Sequence, residues 1–189
     1  MKLTKTYTID DLMEGCKAGD RKVQELLYKQ TSAKMYALCL RYAKDHMEAE
    51  DCLQMGYVKV FQKIQDYRGD GSFEGWIRRV MVNTAIGSYR KNLRNLTVVQ
   101  LEEAYEQPST GFDFSKLGMQ DLMKLIQQLA DGYRMVFNLY AIEGYSHKEI
   151  ADMLGITEGA SKSQLSRARA ILKEKIIKME GINYGTYAG

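Results

Sequence analysis

Apolar positions along this chain recur three and four residues apart, with no strand-like alternation, so the pattern predicts an all-α fold. Thr8, with Asp11 three residues on, begins a first helix that ends near Gly19. Asp20 can cap a second helix, in which Val23, Leu26 and Leu27 open a core stripe. Met35, Leu38 and Cys39 continue that stripe, with Tyr42 beside it. Asp45 can cap a third long helix running to about Ile64. Its wide apolar face is Ala49, Cys52, Leu53, Gly56, Tyr57, Val60, Phe61 and Ile64. On the less buried side of the same helix, Asp51, Gln54, Met55 and Val58 make a second, mixed stripe. Such a stripe is either a protein-docking surface or the rim of the core, and the pattern leaves both readings open.

A glycine-punctuated loop, YRGDGSF at 67–73, comes next, and Ser72 can cap a fourth helix from Phe73 to about Arg94. In this helix Trp76, Val80 and Ala85 lie among Arg79, Asn83, Ser88, Tyr89, Arg90 and Lys91. Rings stack on bases and cations hold phosphates, so this mixture suits nucleic acid. The plainer reading makes Trp76 a core residue. The periodicity then fails over 96–116, which holds Pro108, Ser109, Thr110 and Gly111 together with Glu102, Glu103 and Glu106. That stretch reads as an acidic interdomain linker, with a short helix near 99–105. The expected organisation is a helical domain over 8–95, a linker over 96–116 and a second helical domain over 117–178, followed by an unpacked tail at 181–189.

In the second domain Leu122, Leu125, Ile126 and Leu129 mark one helix, and Val136, Phe137 and Tyr140 mark the next. The segment 145–173 then reads as a helix-turn-helix. Ser146 and Glu149 form a capping box, and Ile150, Ala151 and Leu154 give an apolar face. Gly155 supplies the sharp turn and Thr157 caps the second helix. Ser161, Leu165, Ala168 and Leu172 share the inner face of that helix, and Lys162, Ser163, Ser166 and Arg167 the opposite one. A small, polar, basic outer face suits the DNA major groove; a solvated helical hairpin is the plainer alternative.

Composition adds little until it is mapped. The 189 residues carry a formal net charge of only +3 and are 45% hydrophobic, enough for two small cores. The charge is unevenly placed. Arg78, Arg79, Arg90, Lys91 and Arg94 fall within 78–95 with no acidic residue among them. Over 159–178 six basic residues face the single Glu174. Two basic patches on two helices point to two contacts with a polyanion. Cys16, Cys39 and Cys52 lack metal-ligand spacing and read as small buried residues in a reducing compartment. No stretch has the length or hydropathy of a signal peptide or a membrane span, so a cytoplasmic protein is expected. The two histidines, His46 and His147, belong to different domains, and no catalytic pair or phosphate loop appears; neither an enzyme nor a cofactor or metal is expected. A free-standing helix-turn-helix regulator would need a ligand pocket or dimer helix in the first half, and the charged aromatic helix at 73–94 argues against it.

The order of these parts resembles the sigma-70 family, and specifically the small two-domain extracytoplasmic-function (ECF) sigma factors of bacterial RNA polymerase. The resemblance covers about 9–178. AEDCLQMGYVKVF at 49–61 is similar to the family's core-binding helix. YRGDGSFEGWIRRVMVNTA at 67–85 resembles its promoter-melting and −10 segment, and YSHKEIADMLGITEGASKSQLSRARAIL at 145–172 its −35-binding helix-turn-helix. The resemblance implies that Asp51 and Gln54, with Met55 and Val58 in the same stripe, contact the coiled coil of the polymerase's largest subunit. It places Trp76, Arg79 and Asn83 at the −10 element. The loop from Tyr67 to Phe73 would help hold a base flipped from the non-template strand, with Ser88, Tyr89, Arg90 and Lys91 further along the same DNA-binding helix. It faces Lys162, Ser163, Ser166 and Arg167 to the −35 element, with His147, Lys148 and Gln164 on the same surface. The implied partners are core RNA polymerase, promoter DNA and an anti-sigma protein, in this family often at a membrane, with no small-molecule substrate. Three positions depart from the family. Gln54-Met55 stands where Gln-Glu is frequent, Gln164 replaces a frequent arginine, and Leu129-Ala130-Asp131 lacks an expected proline.

Overall fold

The computed structural model describes residues 7–95 and 119–180. Every element among these residues is helical: α1 (Ile9–Lys17), α2 (Arg21–Tyr42), α3 (His46–Lys63), a 3₁₀ turn (Ile64–Asp66), α4 (Phe73–Asn95), α5 (Met119–Gln127), α6 (Asp131–Phe137), a π-turn (Asn138–Ile142), α7 (His147–Leu154) and α8 (Glu158–Glu180). The chain divides into two compact units between Ser88 and Tyr89, within α4 and ahead of the boundary expected at 95. The expected linker, its short helix at 99–105 and the tail at 181–189 lie outside the described residues.

The helix starts follow from side chains that accept the N–H groups a helix leaves unpaired. Thr8 and Asp11 form a reciprocal capping box, Asp20 accepts from Lys22 and Val23, and Asp45 accepts from Glu48. Ser72 Oγ accepts from Gly75 N–H at 3.1 Å and Thr157 Oγ1 from Ala160 N–H at 3.0 Å. Ser146 and Glu149 form a second capping box.

In the first unit Leu12, Leu27, Val60, Ile77 and Met81 are wholly buried between the helices. Gly56 brings α3 against α4, because a Cβ there would collide with Met81 Sδ. The Thr31 and Tyr57 hydroxyls share a hydrogen bond of 2.6 Å inside this core, and Thr31 also donates to Leu27 O, so both polar groups are satisfied. Cys16, Cys39 and Cys52 are free, buried thiols; burial, helped by Asp20, pushes Cys16 up to about 11.

In the second unit Leu125, Ile126, Leu139, Ile150, Leu172 and Ile176 form the core. Arg134 is buried among them. Its Nη1 donates to Gln127 O at 3.0 Å and Leu129 O at 2.7 Å, and its Nη2 to Asp131 at 2.6 Å. The guanidinium thus closes the carbonyl end of α5, where no glycine cap follows. The helix expected through Val136, Phe137 and Tyr140 widens after Phe137. Glu143 N–H reaches back five residues to Asn138 O, and the turn ends at Gly144 with φ +81°.

Candidate functional site

Three surfaces carry the candidate residues, two on the first unit and one on the second. On α3, Asp51, Gln54, Met55 and Val58 are all exposed and share one face. Met55 and Val58 are 44% and 54% exposed, so they lie outside the core. Beside them, Tyr28, Ser32, Ala33 and Tyr36 of α2 and Glu50, Leu53 and Gln54 of α3 line a hollow of about 400 Å³. Sequence periodicity had assigned α2 only its buried stripe. The exposed Tyr28, whose ring meets Tyr57 edge-on at 4.7 Å, is the signal that this surface continues onto α2.

The second surface is built on an aromatic cluster. The Tyr67 and Phe73 rings lie 5.2 Å apart, and Trp76 packs on both, stacked on Phe73 at 5.9 Å with an interplanar angle of 11°. Tyr67 and Phe73 are buried and Trp76 is half-buried. As placed, Tyr67 and Phe73 are the base of this surface; the two rings give up their faces to each other and to Trp76. Tyr67 Oη donates to Gly71 O at 2.7 Å, which folds the glycine loop back over the ring. Gly69 and Gly71 have φ near +87° and +81°, where glycine avoids the strain of a side chain. From Trp76 the outer face of α4 continues through the exposed Arg79 and Asn83, one turn apart. Ser88 and Tyr89 are half-buried, and Arg90 and Lys91 are exposed further along the helix. Lys34 of α2 pairs with Glu74 at 3.0 Å and ties the start of α4 down.

The third surface is the helix-turn-helix. Gly155, at φ +71°, ends α7 and donates to Ala151 O at 2.9 Å. Ser161, Leu165, Ala168 and Leu172 are buried, as the spacing predicts. The buried Ser161 hydroxyl meets His147 Nδ1 at 2.9 Å, and the His147 ring stacks on Tyr140 at 4.4 Å. His147, expected on the DNA-binding surface, is thus half-buried and bridges α7 to α8. Burial first, then the charges of Lys162 and Arg169 outweighing Glu158, holds its pKa below the ordinary 6.5. Lys148 and Lys162 are exposed, Lys162 pairing with Glu158 at 2.8 Å. Ser163, Gln164, Ser166 and Arg167 are half-buried. Arg167 does not stand free beside Lys162: its Nη1 donates to Tyr133 Oη at 3.2 Å, because α6 packs against this stretch of α8.

Two family models match the chain in the same order as these surfaces: sigma-70 region 2 over 27–95 and sigma-70 region 4 over 119–172. The chain belongs to the sigma-70 family, in its ECF group. It is 30% identical over 159 residues to the ECF RNA polymerase sigma factor SigE of Mycolicibacterium smegmatis, covering 80% of this chain and 61% of that one. It therefore spans about three-fifths of that relative's length. It is 25% identical over 177 residues to the RNA polymerase sigma-H factor of Pseudomonas aeruginosa, covering 87% and 92%. Among solved structures it is similar to the sigma factor RpoE, in complex with the anti-sigma factor NepR, from Bartonella quintana. The TM-score is 0.49 and the identity 22%, covering 80% of this chain and 95% of that chain.

In this ECF sigma factor the region 2 match holds α2 to α4, hence both surfaces of the first unit. The region 4 match runs from the start of α5 to Leu172 in α8. Helix α1 precedes both matches. No helix among the described residues is long and apolar enough to cross a membrane, and no group of three or more His, Cys, Asp or Glu among them could hold a metal.

Proposed function

We propose that this protein binds core RNA polymerase, directs it to particular promoters and helps open the −10 element, with no bond chemistry of its own. The observation that carries this reading is the exposed α3 stripe Asp51, Gln54, Met55 and Val58 on the same unit as the exposed Arg79 and Asn83 of α4, ahead of a helix-turn-helix unit. The α3 stripe docks on the polymerase's largest subunit. Through Lys148 and the outer face of α8, the second unit contacts −35 DNA. Trp76, Arg79 and Asn83 meet the −10 strand, while Tyr67 and Phe73 position them from beneath and His147 positions α8.

Opening DNA costs a few kcal/mol per unstacked base, and base–aromatic stacking returns about 1–3 kcal/mol per base. That balance is too close for a small domain alone. Polymerase closes the gap by holding both units on one body, so that the second contact becomes intramolecular. The partners of this reading are core polymerase, promoter DNA and an anti-sigma protein, in the cytoplasm. Run-off transcription with purified core enzyme tests it. Promoter-specific transcripts that require both proteins support it. Tight specific DNA binding without polymerase, and no transcription when polymerase is added, would overturn it in favour of a free-standing regulator.

A further inference from the structure

Three methionines among the described residues stand open to solvent: Met47 is 71% exposed, Met55 44% and Met179 57%. Met35, Met81 and Met135 are buried, as a core thioether should be. Two of the three exposed sulfurs belong to α3, and both fall on its docking stripe. Met47, Asp51, Gln54 and Val58 lie four, three and four residues apart and so share one face of the helix. Met55 flanks that face, four residues beyond Asp51. The stripe thus begins in the first turn of α3, with one sulfur at its start and another at its middle. Met55 is also a position at which this chain departs from the sigma-70 pattern.

A thioether is flexible and polarizable, and it fits an apolar contact without any polar partner. Its sulfur reacts without first losing a proton. A hydroperoxide oxidises it in one two-electron step. The sulfur lone pair attacks one peroxide oxygen, and an S–O bond forms as the O–O bond breaks. The second oxygen takes the proton of the first and leaves as water or an alcohol. The sulfur is oxidised, the peroxide is reduced, and the product is a polar sulfoxide. Thiols are the usual competitors for a peroxide, but they must ionise to react. Here Cys16, Cys39 and Cys52 are all buried. Met13 is half-buried, so the two α3 thioethers are the most open sulfurs among the described residues of the first unit.

We infer that Met47 and Met55 are oxidation sites through which a peroxide releases this sigma factor from core polymerase. In the docked state both sulfurs lie against the polymerase, where a thioether needs no hydrogen-bond donor. A sulfoxide oxygen in the same place is a buried acceptor without a partner, and burying an unpaired polar group is costly. Oxidation weakens docking without unfolding the unit, because both side chains lie outside the core. The step is reversible. A methionine sulfoxide reductase with a dithiol removes the oxygen as water while the dithiol closes to a disulfide. Met179, near the end of α8 in the other unit, offers an exposed sulfur that is no part of the stripe. The inference rests on the polymerase-docking function proposed above.

The test uses the full chain, partly oxidised with hydrogen peroxide and then passed over a limiting amount of immobilised core polymerase. Peptide mass spectrometry reads the sulfoxide at each methionine in the bound and unbound fractions. Sulfoxide at Met47 and Met55 is expected to be depleted from the bound fraction by about fivefold to about a hundredfold, with Met179 sulfoxide shared evenly. Circular dichroism of the unbound fraction should match that of untreated protein. A methionine sulfoxide reductase with dithiothreitol should restore its binding. The double variant Met47→Leu, Met55→Leu, compared with itself before and after peroxide, should lose most of the sensitivity. Even distribution of the Met47 and Met55 sulfoxides between the fractions overturns the inference and leaves the sigma function standing. So does unbound protein that has lost its helices, or a sensitivity undiminished in the double variant. Untreated protein that does not bind core polymerase overturns the sigma function, and this inference with it.

Discussion

The two units hold their DNA-facing helices by different means. In the first, α4 rests on packed rings: Tyr67, Phe73 and Trp76 meet face to face or tilted beneath the exposed Arg79 and Asn83. In the second, the buried Leu165, Ala168, Leu172 and Ile176 of α8 are joined by directed polar contacts. His147 meets Ser161, Arg167 meets Tyr133, and the buried Arg134 closes α5. Ring packing is non-directional and scales with buried area, so it tolerates changes of pH and salt and fails when volume is removed. A buried hydrogen-bond network tolerates little geometric error and responds to protonation. The unit expected to capture melted strands thus adds stacked rings to its apolar core, and the unit expected to read duplex DNA adds hydrogen bonds to its own.

The largest expected effect would break the comparison at its shared partner. Gln54→Ala with Val58→Asp should abolish polymerase binding and promoter-specific transcription while leaving helical content unchanged, because both positions are exposed in the free protein. Burying a new carboxylate without a partner in an apolar contact is costly. Pull-down with core enzyme and circular dichroism read the two halves of this prediction. Retained polymerase binding would remove the α3 stripe from the docking surface.

The next two changes compare the foundations directly. Phe73→Ala should cost the first unit about 3–5 kcal/mol through lost burial and the cavity left behind. Hydrogen exchange should show that loss in α1 to α4, with α7 protected as before. Arg134→Met keeps the apolar stem but takes this donor from the buried Leu129 O, at a cost of about 1–3 kcal/mol. Exchange should then rise in α5 and α8 and stay unchanged in α2 and α3. Loss in both units from either variant would show that they unfold as one.

Much of this was legible in the chain because helix starts are local. Thr8, Asp20, Asp45, Ser72, Ser146 and Thr157 each lie within a few residues of the N–H groups they cap, and all six act as caps. The inner face of α8 was legible from its period. The hidden features join residues distant in sequence. The packing of Tyr67 and Phe73 on Trp76 joins a loop to the first turn of α4. Arg167 looks solvated until α6, 34 residues earlier at Tyr133, reaches it. Arg134 closes α5 through carbonyls of the preceding turn, and nothing in its spacing marks that role. The tie between α1 and the 3₁₀ turn joins Lys17 to Gln65, 48 residues apart. No periodicity carries that information.

The smallest expected effect sharpens the comparison through pH. His147 is held below 6.5 by burial and by Lys162 and Arg169, so the folded protein binds its proton less readily than the unfolded chain does. Between the lowered folded value and 6.5 the unfolded state carries more protons, and stability therefore rises with pH. The contribution is fully present above about 6.5 and is lost as pH falls through the folded value. Glu149 and Glu158, also lowered, act in the same direction at more acidic pH, below the ordinary 4.5 of a glutamate, and leave the histidine window clear. Lowering the pH from about 7 to about 5, the range in which histidine titrates, should loosen α7 and α8 while leaving the ring-packed foundation of α4 unchanged. His147→Asn sharpens the test: its amide can still meet Ser161 but does not titrate. Exchange rates in α7 and α8 that follow pH in the wild type and lose that dependence in His147→Asn are the expected result. An identical pH profile in both proteins would show that His147 contributes packing alone.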